Sequence, residues 1–281
     1  MRKISYEKIV EKIAQLCETA AIKLPHDVYD ALQNGMNSEK SPLGVTILAN
    51  CLENAEVAAE TNCPICQDTG FAVFFIEMGV DVFVEGGLLE DAVAEGTALG
   101  YKRAYLRKSI VVDPIFNRSN TGDNTPPVIH LAMVLGDKLS ITLAPKGGGS
   151  ENMSAIAMLK PSQGRTGVAD FVVNTVIRSG GNPCPPVIVG VGVGGTFEKC
   201  AILAKKALLR EVGSVNKNGD YSKLEQEILT RINDSGVGPQ GLGGNTTALA
   251  VHIETYPCHI ASLPVAVNLN CHAARHAECV I

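Results

Sequence analysis

Residues 61–70 read TNCPICQDTG, a Cys63-x-x-Cys66 pair that runs directly into Gln67 and Asp68 and ends in a Thr-Gly turn. Two soft thiols beside an amide and a carboxylate can hold a metal, carry a redox couple or close a bridge. Two other segments place cysteines in loop-forming surroundings. In GGNPCPPV, prolines on both sides of Cys184 remove backbone donors and forbid helix, so the thiol stands on a rigid, extended turn that suits a ligand. In NLNCHAARH, Cys271 is followed by two imidazoles and a guanidinium within six residues.

The remaining cysteines have plainer surroundings. Cys17, Cys51 and Cys200 fall on apolar stripes of expected helices and read as small core hydrophobes. Cys258 lies beside a proline at an expected strand start, and Cys279 lies near the C-terminus. Structural zinc is a weak reading, because no second close cysteine pair accompanies Cys63-x-x-Cys66. A thioredoxin-type site needs its first cysteine at a helix N-terminus after a strand, and here the pair follows a helix and precedes a strand. Ferredoxin-like runs of cysteine are absent. What remains is one thiolate from each of three separated loops, near residues 66, 184 and 271. Such a set leaves a metal or cluster one corner short, and an open coordination position is what a Lewis-acid catalyst requires.

Several elements must position these loops. From Ser5 to about Glu60 apolar residues recur at helical spacing, with Ile9, Ile13 and Leu16 on one stripe and Val45, Leu48, Cys51 and Leu52 on another after a start at Ser41-Pro42. FAVFFIEMGVDVFVEG holds two β-rich runs, and GLLEDAVAEGTALGYKRAYLRKS is an amphipathic helix. VIHLAMVLGDKLSITLAP reads as a hairpin turning at Gly136-Asp137. A buried helix in TGVADFVVNTVIRSGG, a buried strand in PPVIVGVGVGG and a helix in TFEKCAILAKKALLREVG follow. A polar helix over 221–233 and the loop SGVGPQGLGGNTT lead to strands in TALAVHIE and HIASLPVAVN. The fold class expected is α+β, a helical N-terminal layer over residues 1–60 packed on a mixed α/β unit, all in one domain spanning 1–281.

Composition sets limits on partners. The chain has 281 residues, 46% of them hydrophobic, and a formal net charge of -5, which provides no electropositive face for nucleic acid or an anionic membrane. The N-terminus MRKISYEKIVEKIAQLCETA lacks the apolar core of a signal peptide, and no run reaches the roughly 20 apolar residues of a membrane span. A cytoplasmic protein with reduced thiols is expected. The 28 glycines concentrate after position 145 without any repeat, so they mark turns and close backbone approaches.

Five segments in order, CQDTG, KGGGSENMS, GGNPCPP, GVGVGGT and NLNCHAARH, resemble the alpha subunit, or N-terminal domain, of the class I iron-sulfur hydro-lyases, fumarate hydratase and L(+)-tartrate dehydratase. The resemblance covers nearly the whole chain. It implies a [4Fe-4S] cluster held by Cys66, Cys184 and Cys271, with an open iron that binds substrate, and it leaves Cys63 as a neighbour of the site. It also implies that Gln67 and Asp68 touch substrate, that Arg107, at the end of a helix, and the amide of Gly148, in the nest of Gly147, Gly148 and Gly149, bind carboxylates, and that His259 joins Asp68 in the active site. The reaction implied is reversible hydration of fumarate to malate, with tartrate dehydration as the alternative. Further basic residues and the general base come, in such enzymes, from a second domain or a beta subunit. Because this chain stops at Ile281, the expectation is half of a split enzyme, assembled as a dimer of alpha-beta pairs. Two rival classes remain: a thiol or zinc protein without lyase chemistry, and a dinucleotide site at GVGVGG, which fits G-x-G-x-x-G between a strand and a helix but without an evident β-α-β unit.

Overall fold

A computed structural model describes all residues from Met1 to Ile281. The first half of the chain forms β1 (Arg2–Ser5), α1 (Tyr6–Ile22), α2 (His26–Ser38), α3 (Pro42–Thr61), β2 (Phe71–Gly79), β3 (Val82–Glu85), α4 (Leu89–Arg103), β4 (Val128–Val134) and β5 (Leu139–Lys146). The second half forms α5 (Gly148–Glu151), β6 (Ala155–Leu159), α6 (Gly164–Ser179), β7 (Val187–Gly194), α7 (Phe197–Ala207), α8 (Gly219–Asn233), β8 (Ala248–Tyr256), β9 (Leu263–Asn270) and β10 (Ala277–Val280). The chain is α+β, and its N-terminal 60 residues are helical apart from β1. Two compact units divide it: Met1–Leu24, Ala55–Gly148 and Arg275–Ile281 form the first, and Pro25–Asn54 with Gly149–Ala274 form the second. The N-terminal helices are shared between them, since the chain passes from the second unit to the first within α3. No helix is long and apolar enough to cross a membrane.

In the first unit a four-stranded sheet has the order β10-β5-β2-β4. The expected hairpin of β4 and β5 does not form. β2 lies between them, parallel to β4 and antiparallel to β5. The reason is the apolarity of FAVFFIEMG on both faces, which suits a central strand, whereas β4 at the edge leaves Leu131 and Met133 exposed. Helices α1 and α4 pack on this sheet around Ile9, Ile13, Phe74, Val93 and Ile141. Their close approach depends on Gly96 and Gly100, four residues apart on α4, because a Cβ at Gly96 would sit 2.6 Å from the Val10 carbonyl and one at Gly100 2.8 Å from the Ala14 carbonyl.

In the second unit the sheet order is β6-β9-β7-β8. β7 and β8 are parallel, joined by a crossover through α7 and α8, so a β-α-β arrangement does surround GVGVGG. Its glycines nonetheless serve packing. A Cβ at Gly190 would lie 2.1 Å from the Ala204 carbonyl and one at Gly192 1.9 Å from the Cys200 carbonyl, so α7 rests directly on β7 only because those side chains are missing. α6 and α8 contribute Val172, Leu224 and Ile228 to a core with Val189, Val191 and Val267. α7 is shorter than its sequence suggests and ends at Ala207.

Candidate active site

The loop at 62–70, in the first unit, is held from several sides. Cys63 N–H donates to the Ala58 carbonyl at the end of α3, and Ile65, buried, donates its N–H to the Ala21 carbonyl. Cys66 is half-buried and Gln67 is exposed. Asp68 accepts the Gly70 N–H on Oδ1 (3.1 Å) and the Gly148 N–H on Oδ2 (2.8 Å), while its main-chain carbonyl accepts Nη2 of Arg275 (2.7 Å). Tyr101 OH donates to the Gly70 carbonyl (2.8 Å), and Asn124 Nδ2 donates to the same oxygen (3.2 Å). Burial pushes the Tyr101 hydroxyl well above its ordinary range, so it remains a donor. Gly70 is needed for two reasons: its φ is +85°, and a Cβ there would meet Lys146 N at 2.8 Å. Thr69, also buried, donates its hydroxyl to the Arg107 carbonyl (3.2 Å), which brings the Arg107 segment against the loop.

Two expectations change here. Arg107 is not at a helix end: α4 stops at Arg103, the chain turns through Tyr105 at φ +54°, and Arg107 is exposed on the extended segment beyond. The Gly148 amide does not stand open for a substrate carboxylate, because the carboxylate of Asp68 already takes it.

In the second unit Cys184 sits at φ +55° in a turn closed by its own N–H to the Gly181 carbonyl. Its carbonyl accepts the His272 N–H (3.2 Å), and Gln240 Nε2 bridges the Pro185 carbonyl (2.9 Å) and His272 Nδ1 (3.1 Å). These bonds zip the Cys184 turn to the residue after Cys271. Cys184 is exposed and Cys271 half-buried. Cys51, read from sequence as core, is half-buried on α3. Burial, followed by the proximity of Cys271 and Cys184, pushes its thiol up to about 11. Cys17 and Cys200 are core, with burial pushing Cys17 to about 12.

His259 is not brought to Cys184 or Cys271 by the elements of its unit. It is exposed in the turn between β8 and β9, where its Nδ1 accepts the Ala261 N–H (3.1 Å), and the strand expected in HIASLPVAVN begins only at Leu263. β9 then runs eight residues, about 26 Å at the usual rise per residue, before Cys271. His259 instead lines a cleft of about 520 Å³ with Lys199, Tyr256 and Cys258. Sequence reasoning missed Tyr101, Asn124 and Gln240, which carry no local signal, and noted Arg275 only as the guanidinium that follows Cys271, without a role.

A family model described as fumarate hydratase (Fumerase) matches residues 10–280. The chain belongs to this fumarate hydratase family. A Methanocaldococcus jannaschii protein provisionally named as an L(+)-tartrate dehydratase subunit alpha is 41% identical over 275 residues, 96% of each chain. The L(+)-tartrate dehydratase subunit alpha of Escherichia coli O157:H7 is 35% identical over 281 residues, covering 98% of this chain and 91% of that one. The same subunit in Escherichia coli strain UTI89 is 36% identical over 275 residues, 95% of this chain and 89% of that one. These relatives are named as alpha subunits, which implies a beta subunit beside them. The fumarate hydratase family fixes the reaction class of this chain as that of a hydro-lyase. Its residues suit the iron-sulfur group of class I members in donor chemistry: soft thiols stand on the loops at 66, 184 and 271. A buried donor, Nε of Arg275, has no partner beside the Cys66 loop. No three His, Cys, Asp or Glu side chains converge closely enough to hold a single metal ion.

Proposed function

We propose that this chain is the alpha subunit of a [4Fe-4S]-dependent hydro-lyase that hydrates fumarate reversibly to malate, with Cys66, Cys184 and Cys271 as cluster ligands. The observation that carries the reading is the Asp68 loop: next to a half-buried Cys66, both carboxylate oxygens are held by backbone N–H groups while each retains a lone pair for a further donor. When bound, a cluster with an open iron supplies a Lewis acid for the substrate oxygen. The chain's own residues do the rest of their share. Asp68 accepts a proton or hydrogen bond from the substrate hydroxyl, and its two amide bonds keep it aimed without reorganisation. Exposed Gln67 donates its amide to a substrate oxygen. Arg107, exposed beside Thr69, offers the fork of donors that matches a carboxylate. Gly148 acts through Asp68. His259 is left out of this chain's site because β9 separates it from Cys271.

A beta subunit supplies the second carboxylate clamp and the carbon-bound proton's acceptor, in a cytoplasmic dimer of alpha-beta pairs. The names of the relatives favour a second reading, L(+)-tartrate dehydration. It uses the same residues, since malate and tartrate differ by one hydroxyl. The test is anaerobic reconstitution with the beta chain, followed by turnover of fumarate and of L(+)-tartrate. Serine at 66, 184 or 271 is expected to abolish iron and sulfide retention. Full loading of Cys184→Ser, or full-rate hydration by this chain alone, refutes the assignment.

A further inference from the structure

Arg275 is 6% exposed. Arginine is almost never buried unless its charge is paired, because desolvating a cation without compensation costs several kcal/mol. Here its hydrogen bond goes to a neutral group, the Asp68 carbonyl at 2.7 Å, and Nε is buried with no acceptor. The Asp68 carboxylate does not serve it, since both oxygens are turned to the amides of Gly70 and Gly148. The bond from Nη2 to the Asp68 carbonyl sets the guanidinium against the loop that carries Cys66, two residues before Asp68 in the chain. The fork of a guanidinium is rigid, so fixing Nη2 on the Asp68 carbonyl also fixes the direction of Nε. A buried cation with one donor unused beside a soft-ligand loop has room for one more acceptor, and an anionic group at the loaded site would supply it.

We propose that Arg275 is a positioning residue of this site: Nη2 clamps the Asp68 main chain, and Nε–H donates to a sulfur of the iron-sulfur group held through Cys66. The inference rests on the function proposed above. A sulfur acceptor is favoured over a substrate carboxylate because Arg275 is buried, whereas Gln67 and Arg107, the residues offered to substrate, are exposed. The role has two parts that substitution separates. Lysine retains the charge but has neither the fork nor Nε–H, and glutamine loses charge and fork together.

The experiment uses the anaerobically reconstituted alpha-beta enzyme carrying Arg275→Lys or Arg275→Gln. Iron and sulfide content, resistance of the iron to a chelator, the reduction potential of the bound group without substrate, and kcat and KM are measured. Both variants are expected to have a more negative potential, because a hydrogen bond to sulfur is lost. Iron loss to the chelator should be faster or kcat lower by roughly 10–100-fold, the usual cost of removing an outer-shell partner, with KM little changed. A rise in KM with potential and chelator resistance unchanged identifies a substrate contact and overturns the proposal. Wild-type potential, resistance and KM in a loaded, folded variant overturn it as well. If the variants do not fold, the wild-type enzyme with ¹⁵N-labelled arginine decides: pulsed EPR of the reduced state should show a ¹⁵N hyperfine coupling, and its absence refutes the donor. A wild-type enzyme that takes up no iron and sulfide defeats the functional reading itself, and the inference falls with it.

Discussion

Replacing Glu39 with Gln tests how the second unit holds the helix that carries Cys51. Glu39 is 9% exposed, and its carboxylate accepts five contacts from backbone N–H groups: Oε1 from Lys40 (2.9 Å), Ser41 (3.0 Å) and Asn245 (2.9 Å), and Oε2 from Asn245 (3.0 Å) and Thr246 (2.7 Å). One side chain thus ties the start of α3 to the glycine-rich loop before β8. Burial alone pushes a carboxyl up, but here the N–H donors of Ser41, Asn245 and Thr246 outweigh it and pull the group from 4.5 down to about 2. A tenfold change in proton affinity corresponds to about 1.36 kcal/mol, so holding the carboxylate ionised contributes about 3 kcal/mol to stability at neutral pH. The folded value is depressed. The contribution is therefore fully present above the ordinary value of 4.5 and is lost as pH falls through about 2. Glutamine keeps the shape, loses the charge and turns an NH2 toward backbone donors. Denaturant unfolding at pH 7 should find Glu39→Gln less stable by about 3 kcal/mol, with Tm lower by several degrees at about 2–4 °C per kcal/mol. The gap should narrow as pH is lowered from 4.5 toward 2. Equal stability at pH 7, or a gap independent of pH, would refute the reasoning.

Other outcomes follow from single contacts. Gly192→Ala places a methyl 1.9 Å from the Cys200 carbonyl, so α7 must lift from β7; unfolding should show a loss of roughly 1–3 kcal/mol or more, and unchanged stability would mean that α7 is not seated as described. Timed alkylation of the metal-free chain at pH 8, read by mass spectrometry, should label exposed Cys63 and Cys258 well before Cys17 and Cys51, whose thiols burial pushes up to about 12 and about 11; early labelling of Cys51 would mean that its thiol is not buried as described. If the proposed open iron is present, air or peroxide should remove it and abolish turnover, with recovery on adding ferrous iron and a thiol; activity undiminished by long aeration would speak against it.

Much of the fold was legible because its signals are local. Helical spacing from Ser5 onward, the Gly-Gly stop after α6 and the unbroken apolar run of β7 each depend on residues within one or two turns or strands. The loop placement of Cys66, Cys184 and Cys271 was equally local, set by prolines and turn residues beside them. Strand order was not. Nothing in VIHLAMVLGDKLSITLAP says that β2 will lie between its two strands, because that choice depends on which distant segment has two apolar faces to bury. The division into two units was hidden for the same reason: each is assembled from separate stretches, and no polar linker marks the crossings.

The sequence by itself determined which loops carry cysteine, the hydro-lyase resemblance and most element types, since residue identity and short-range periodicity carry these. Only the tertiary structure decided what each polar group is bound to. It gave the Gly148 amide to Asp68 and left Cys51 half-buried on α3. It separated His259 from Cys271 by the length of β9 and set Arg275 beneath the Asp68 loop with a donor unspent. Hydrogen bonds and burial are properties of neighbours in space, and 207 residues of chain separate Asp68 from the arginine that holds it.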